Sequence, residues 1–561
     1  MKRFLVTQLA RLGDIVQAIP LLQGLKKVYP DCWVEVLVNK KFSEICTLMP
    51  WIDEVVTIDF PRVGQLLVGD TASLEKAYGY LKTFYSQLKA RAFTRVFNIT
   101  PHYLGVFSAM LSRNNQLDDQ ESSEWQVYFK SVTMQWNTLS FHMSDLYICI
   151  AGLEPSNEQV RLVIDKKSKQ WADEFLRAYG LQGDEIIIAF HPGASTPHKQ
   201  WPRDYFIRLG KKLLETQRIM IMLLGTEDAS DLCHHFGNRC INATGKTTVA
   251  QLAALLQRTH VFVTNDTGPM HIAAACGTFV ISIHMGKENC FTTGPRTLRG
   301  FTVQPALPCH PCQYPEHCTA QTCKKNIEPD LIYELILRSL NPHQYSNSTM
   351  LSMDKAVVYH AGHDPMGFWD FYPLTHKKLT IDDLMHRLLR YVWKHTLDYS
   401  CTTQNSTNIQ AYVQKLGITL EHFYKKNDSL KIHCCELDRA LQELSALCGQ
   451  GMNVCKNIIR YAPSALRFHK CLQRLAEECE KIDNALATWK ERMPILRPLI
   501  NTFFTHKEES TGDDIEQLAQ EAYRCYEQLH TRCGMLRALA KEYQRQSMQE
   551  VTKAALQTAF A

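Results

Sequence analysis

Apolar runs and amphipathic stretches alternate along the first 340 or so residues. RFLVTQL (3–9) reads as a buried strand, and IVQAIPLLQGLKKVYP (15–30) has helical spacing. CWVEVLVN (32–39) is a second strand and KFSEICTLM a helix-like connection. VVTIDF (55–60) is a third strand, 71–91 a helix and RVFNIT (95–100) a fourth strand. Strands that are apolar on both faces and alternate with helices predict a parallel sheet covered on both sides.

The alternation restarts downstream. DEIIIAFHPGAS (184–195) reads as a strand and loop, 204–216 as a helix and RIMIMLLGT (218–226) as a very apolar strand. Helix 247–258, strand 260–266, helix 269–277 and strand 278–286 follow, then helix 329–341. Two Rossmann-like halves with a cleft between them are the economical reading. From about 380 strand signals fade. Leu472, Leu475, Cys479, Ile482, Leu486 and Trp489 recur at spacings of three and four, as do Leu518, Ala522, Cys525, Leu529, Cys533, Leu536 and Ala540. Stripes this short predict a packed helical bundle, interrupted at Pro494 and Pro498. The fold class is therefore α/β, followed by an all-α C-terminal extension. The expected division is 1–170, 171–345, an irregular linker over 346–380, and helices over 381–561.

Composition narrows the function. The chain has 561 residues, 45% hydrophobic and 21% charged, so it is globular rather than disordered. A net charge of +5 at this length argues against a dominant grip on nucleic acid. No run of about 18 uncharged apolar residues predicts a membrane span. The 20 cysteines are scattered. With no export signal in view, they read as reduced, mostly small buried apolar side chains of a cytoplasmic protein.

Three segments carry candidate chemistry. In VFVTNDTGPMHIAAACGT (261–278), a strand delivers Asp266 to its C-terminal end, and Thr267-Gly268 turn into a helix with Pro269 in its first turn. The exposed N–H groups and dipole of that helix suit a diphosphate. In HPGASTPHKQWP (191–202), Lys199 offers a mobile charge for phosphate, and Trp201 is a packing anchor. At the first strand-to-helix turn, Gly13-Asp14 places a carboxylate on the cleft side. That carboxylate serves either as a general base or as a helix cap.

The ordered set LGDIVQAIP, HPGAS…KQWP and NDTGPMHIAAACGT resembles glycosyltransferase family 9, the bacterial heptosyltransferases, over roughly residues 1–341. The resemblance implies a GT-B fold. It also implies inverting transfer of a heptose from ADP-heptose to lipopolysaccharide core. Carried over by motif, Asp14 is the general base, Lys199 contacts the donor phosphate and Asp266 holds sugar hydroxyls. Thr267, Gly268 and Pro269 surround the diphosphate, with His271 nearby; Glu227 reads the ribose, and Ser195 and Thr196 are further donor contacts. No catalytic metal is expected, because a lysine and a helix N-terminus can stabilise the leaving group. Two departures stand out: Phe279 where the family commonly has proline, and Ile283-His284-Met285-Gly286 where it is usually Phe-Gly-rich. Both are expected near the donor pocket.

Cys309, Cys312, Cys318 and Cys323 form a cysteine-rich loop (309–323). Its thiols read as ligands of a structural zinc or iron, resembling a metal finger found in some family members. The expected partners are a nucleotide-sugar donor and a lipid-linked or protein acceptor. Peripheral contact with the inner face of the inner membrane and a homo-oligomer through the helical extension fit the same reading. The alternatives are the same fold using another nucleotide-sugar or a protein acceptor, or a non-catalytic scaffold that binds nucleotide-sugars.

Overall fold

The computed structural model describes the chain except residues 69–70, 101–102, 113–123, 134–138, 288, 313, 342–353, 375–376, 399–405, 426, 428, 511, 513 and 560–561. It divides into two units. The first holds residues 1–119, 142–363 and 367–375; the second holds 120–141, 364–366 and 376–561.

The first unit contains two sheets. Strands β1 (Arg3–Gln8), β2 (Trp33–Asn39), β3 (Glu54–Ile58) and β4 (Arg95–Asn98) pair in parallel in the order β3-β2-β1-β4. The register Phe4↔Val34 and Phe4↔Arg95 puts β1 at the centre, and residues 4–8 are buried as a double-covered strand requires. The second sheet is built from β5 (Ile186–His191), β6 (Ile219–Leu223), β7 (Cys240–Asn242), β8 (Val261–Asn265), β9 (Phe279–Ile283) and β10 (Gly300–Pro305). Two further strands, β11 (Ala356–His363) and β12 (Trp369–Pro373), extend it, giving the order β12-β11-β10-β9-β8-β5-β6-β7. Its core joins Ile188, Phe190, Ile221, Val263 and Ile281 to Trp201, Phe206 and Leu209 of the covering segment. These are the two Rossmann-like halves that the alternating pattern implied, and the GT-B fold that the resemblance implied.

Three sequence expectations are corrected here. Residues 356–373 are not an irregular linker: β11 and β12 are antiparallel strands, with Thr302↔Tyr359 and His360↔Tyr372 in register. β11 (AVVYHAGH) is half buried and β12 (WDFYP) wholly buried, and neither shows a strict apolar–polar alternation. Second, residues 120–141 group with the helical unit, not with the first Rossmann-like domain. There the Glu124–Thr133 helix meets Arg497–Glu509, with Ser131 and Thr502 hydroxyls 2.8 Å apart. Third, Cys233 and Cys240 form a disulfide rather than remaining thiols. The short Gly237–Arg239 turn brings their Cα atoms to 5.5 Å.

The second unit is a helical bundle whose long members are Leu430–Tyr461, Ala465–Arg492 and Ile515–Ala559. Leu486, Leu529, Cys533 and Leu536 of the sequence stripes are fully buried, whereas Leu518 is exposed. Among the described residues no helix is long and apolar enough to cross a membrane.

Candidate active site

The site lies where strands of the first unit end. Each end delivers a side chain for a local reason. Strand β8 terminates in Asn265, followed by Asp266 and the N-cap Thr267 of the Gly268–Ala275 helix, with Pro269 in its first turn. Strand β5 ends at His191, and the following loop runs to the short Pro197–Lys199 turn. Strand β1 leads into the Leu12–Gln17 helix, which carries Asp14 in its first turn.

Asp266 and Lys199 are both buried, with Lys199 Nζ 3.4 Å from Asp266 Oδ2. Taking two charges out of water costs desolvation that this contact offsets only in part. Asp14 lies within electrostatic reach of both. Burial pushes its carboxyl above the ordinary range, opposed by the Arg11 amide and guanidinium and by Lys199, while Asp266 adds to the rise. The Arg11 backbone N–H donates to Asp14 Oδ2 at 2.9 Å. Asp14 therefore caps its helix from the first turn and also faces the charged cluster; the two sequence readings of this residue are compatible. Arg11 also donates to Ser195 Oγ at 3.1 Å, tying the first strand-to-helix turn to the loop after β5.

The Asp14 helix reaches the diphosphate-type turn through glycine. A Cβ on Gly13 would stand 2.8 Å from His271 Cδ2 and 3.4 Å from Gly268 Cα. No larger residue allows this approach without displacing the Gly268–Ala275 helix. His271 is buried beneath that contact. Desolvation, with His284 and Lys199, lowers its pKa to about 3, so the ring is neutral. His191 is likewise held neutral by burial, at about 4, with its Nδ1 3.4 Å from Thr267 Oγ1.

The cluster thus brings together Asp14, Lys199, Asp266, Thr267, Gly268 and His271, with Ser195 joined through Arg11. Thr196 pairs with His198 at 3.1 Å on the same loop. Glu227 is exposed in the turn after β6, two strands from β8 in the sheet order. Its neighbour Asp228 caps the following segment through the Ser230 N–H.

The sequence reading missed Asn265. Its Oδ1 accepts from the Trp201 N–H at 2.9 Å, and its Nδ2 donates to the carbonyls of Pro192 at 3.0 Å and Gly193 at 3.1 Å. One buried amide therefore fixes both ends of the loop that carries Lys199. The available signal was a polar amide closing an otherwise apolar strand. Trp201 is the anchor expected, fully buried with its indole N–H on Ile327 O at 2.8 Å.

Of the two departures, only one lies at the site. Phe279 opens β9 and packs edge-on against Phe301, at the opposite end of the strand from Asp266. The expectation that it borders the donor pocket is corrected: parallel strands present their C-terminal ends to ligand, and Phe279 is N-terminal. Ile283 does reach the site end, where its carbonyl accepts the Asp266 N–H at 3.2 Å. The Met285-Gly286 turn beyond it is held by the cysteine-rich loop. The Gly286 carbonyl accepts from the Cys312 N–H at 2.7 Å, and its backbone hydrogen-bonds the Cys323 thiol. Burial pushes that thiol up, and Cys318 and Cys309 act in the same direction. Among the described residues no group of three or more His, Cys, Asp or Glu side chains is arranged to hold a metal.

Residues 86–322 match the Glycosyltransferase family 9 (heptosyltransferase) model. Over that segment the chain is similar to the family 9 glycosyltransferases. The match begins after Asp14, so that residue's role rests on its own motif and surroundings. The lipooligosaccharide heptosyltransferase 2 of Haemophilus influenzae is 26% identical over 285 residues, spanning 48% of this chain and 80% of the relative. The lipopolysaccharide heptosyltransferase 2 of Salmonella typhimurium is 24% identical over 302 residues, spanning 50% and 82%. The crystal structure of a family 9 glycosyl transferase from Veillonella parvula covers 61% of this chain and 98% of its own, at 20% identity and a TM-score of 0.50. The fold is shared, and the helices beyond the glycosyltransferase region are additional to it.

Proposed function

We propose that this chain moves a heptose from ADP-heptose to a lipopolysaccharide-core or related acceptor, with inversion at the anomeric carbon. The observation that carries the reading is the convergence of Asp14, Lys199 and Asp266 within electrostatic reach of one another. Inversion needs one base on the acceptor side and charge stabilisation on the other. Asp14, with its carboxyl raised by burial, accepts the acceptor hydroxyl proton as that oxygen attacks the anomeric carbon. The bond to the diphosphate breaks on the opposite face. Lys199 and the N-terminus of the Gly268–Ala275 helix stabilise the departing charge. Asp266 exchanges its long contact with Lys199 for sugar hydroxyls. The set asks for no catalytic metal.

In this reading the transfer takes place in the cytoplasm, at the inner face of the membrane where a lipid-linked acceptor is exposed. The names of the relatives favour heptose and lipopolysaccharide, while the Ile283–Gly286 departure keeps a second nucleotide-sugar as the competing reading. Calorimetric titration of the purified protein with ADP, UDP, GDP and CMP separates them. The expected result is selective ADP binding, weakened about ten- to hundredfold in Lys199→Ala by loss of a charge-assisted contact. Preference for another nucleotide overturns the donor. Binding to none, confirmed with intact nucleotide-sugars, overturns the enzyme reading.

A further inference from the structure

The turn after β1 meets the elements of the second sheet at two points. A Cβ on Gly268 would lie 3.3 Å from Leu12 Cδ2 and 3.5 Å from the Gly13 nitrogen, so this turn stands against the N-terminus of the Gly268–Ala275 helix. One residue before Leu12, the exposed Arg11 extends its guanidinium to the loop after β5, where Nη1 donates to Ser195 Oγ at 3.1 Å. That loop runs on to Lys199. Arg11 therefore starts beside one element suited to phosphate and ends on the loop that carries the other. A guanidinium offers a fork of several N–H donors. Ser195 Oγ takes one, and among the described residues no other side chain or carbonyl holds the rest.

We propose that Arg11 binds the diphosphate of the donor, reaching it from the first sheet while Lys199 and the Gly268–Ala275 helix reach it from the second. This contact presupposes a nucleotide-sugar donor and adds a residue to its site. As the donor enters, the guanidinium leaves the Ser195 hydroxyl and takes phosphate oxygens in its place. The exchange is favourable because a charge-assisted contact is about twice as strong as a neutral one, and the planar fork suits two oxygens at once. As the bond to the sugar breaks, negative charge grows on the departing diphosphate, and Arg11 meets it. The backbone N–H of the same residue holds Asp14 Oδ2 at 2.9 Å. Donor recognition and the orientation of the base thus share one residue, the first through its side chain and the second through its main chain.

A purely structural Arg11 would do no more than tie the turn to the loop. The two roles differ in what they do to ligands with and without phosphate. Loss of a tie loosens the site for every ligand, whereas loss of a phosphate contact is felt only by ligands that carry phosphate.

The test is calorimetric titration of the full chain with ADP and with adenosine, in the wild type, Arg11→Ala and Arg11→Lys. Alanine keeps the backbone N–H, so Asp14 stays held. Arg11→Ala should weaken ADP about ten- to hundredfold and leave adenosine unchanged. Arg11→Lys should recover part of the loss, since lysine restores the charge without the fork. Added salt should narrow the gap between the wild type and Arg11→Ala. Wild-type ADP affinity in Arg11→Ala overturns the proposal and leaves the nucleotide-sugar reading in place. Equal losses for ADP and adenosine also overturn it, and reduce Arg11 to a tie. If the wild type prefers another nucleotide, the same series is run with that nucleoside and its diphosphate. If it binds none, the donor reading falls and the role of Arg11 falls with it. Should Arg11→Ala fail to fold, Arg11→Met, which keeps the aliphatic stem, takes its place.

Discussion

The two ends of the second sheet use the same strands for opposite purposes. At the C-terminal ends of β5 and β8 the buried side chains are polar: His191, Asn265, Asp266 and, on the following loop, Lys199. At the N-terminal end of β9 the contacts are an aromatic pair, Phe279 on Phe301, and the Thr278 hydroxyl donating to Leu256 O at 2.6 Å. The difference is one of what each buried polar group is matched to. At the other, quiet end the Thr278 hydroxyl is matched by the Leu256 carbonyl. At the site end a lysine and an aspartate are buried 3.4 Å apart beside a second carboxylate. Such a cluster carries a desolvation cost that a bound ligand with both anionic and hydroxyl groups can offset.

The sharpest way to break this comparison is Asp14→Asn. The amide can still accept the Arg11 N–H, so the helix should keep its cap. Transfer should fall by about 10²- to 10⁴-fold with ADP affinity nearly unchanged; wild-type transfer rates would remove Asp14 as the base. In the wild-type enzyme kcat/KM should decline as pH falls through the raised Asp14 pKa, because the protonated carboxyl cannot take a proton. That acid limb should lie above the ordinary aspartate value of 3.8 and vanish in the variant.

Gly13→Ala should come next. Its methyl meets His271 at 2.8 Å and drives the Asp14 helix from the Gly268 turn. A shift approaching 1 Å at the chemistry costs on the order of 10²-fold in transfer. Thermal unfolding measured alongside separates misplacement from collapse. Asn265→Ala strands the buried Trp201 N–H and frees the Lys199 loop. We expect a loss of about 1–3 kcal/mol in stability and a rise in donor KM. An unchanged KM would reduce Asn265 to a purely structural amide. The smallest effect belongs to the quiet end: Phe279→Leu should leave donor affinity within about twofold. A larger change would mean that the two ends are not separate.

Much of this was legible in the chain itself. β1, β5, β6, β8 and β9 are apolar enough to announce themselves, and Asp14, Lys199 and Asp266 follow strand ends in recognisable motifs. Three-residue β7 and the buried β11–β12 pair gave no comparable periodicity. Asn265 was passed over because its value lies in the carbonyls of a loop more than 70 residues away in sequence. Phe279 was misplaced because adjacency to a motif in sequence was taken for adjacency in space, although the whole of β9 separates it from the site.

Local composition decides which segments become strands or helices and which end of each strand carries polar residues, because periodicity and turn chemistry act over a few residues. The sequence by itself therefore determined the α/β alternation, the order of the motifs and the chemical types at the site. Only the tertiary structure decided that Gly13 lets two helices touch, that Asn265 holds the lysine loop, and that Asp14 shares one field with Lys199 and Asp266. Each of these joins elements distant along the chain, and burial, close approach and charge interaction depend on distances that exist only once the chain has packed.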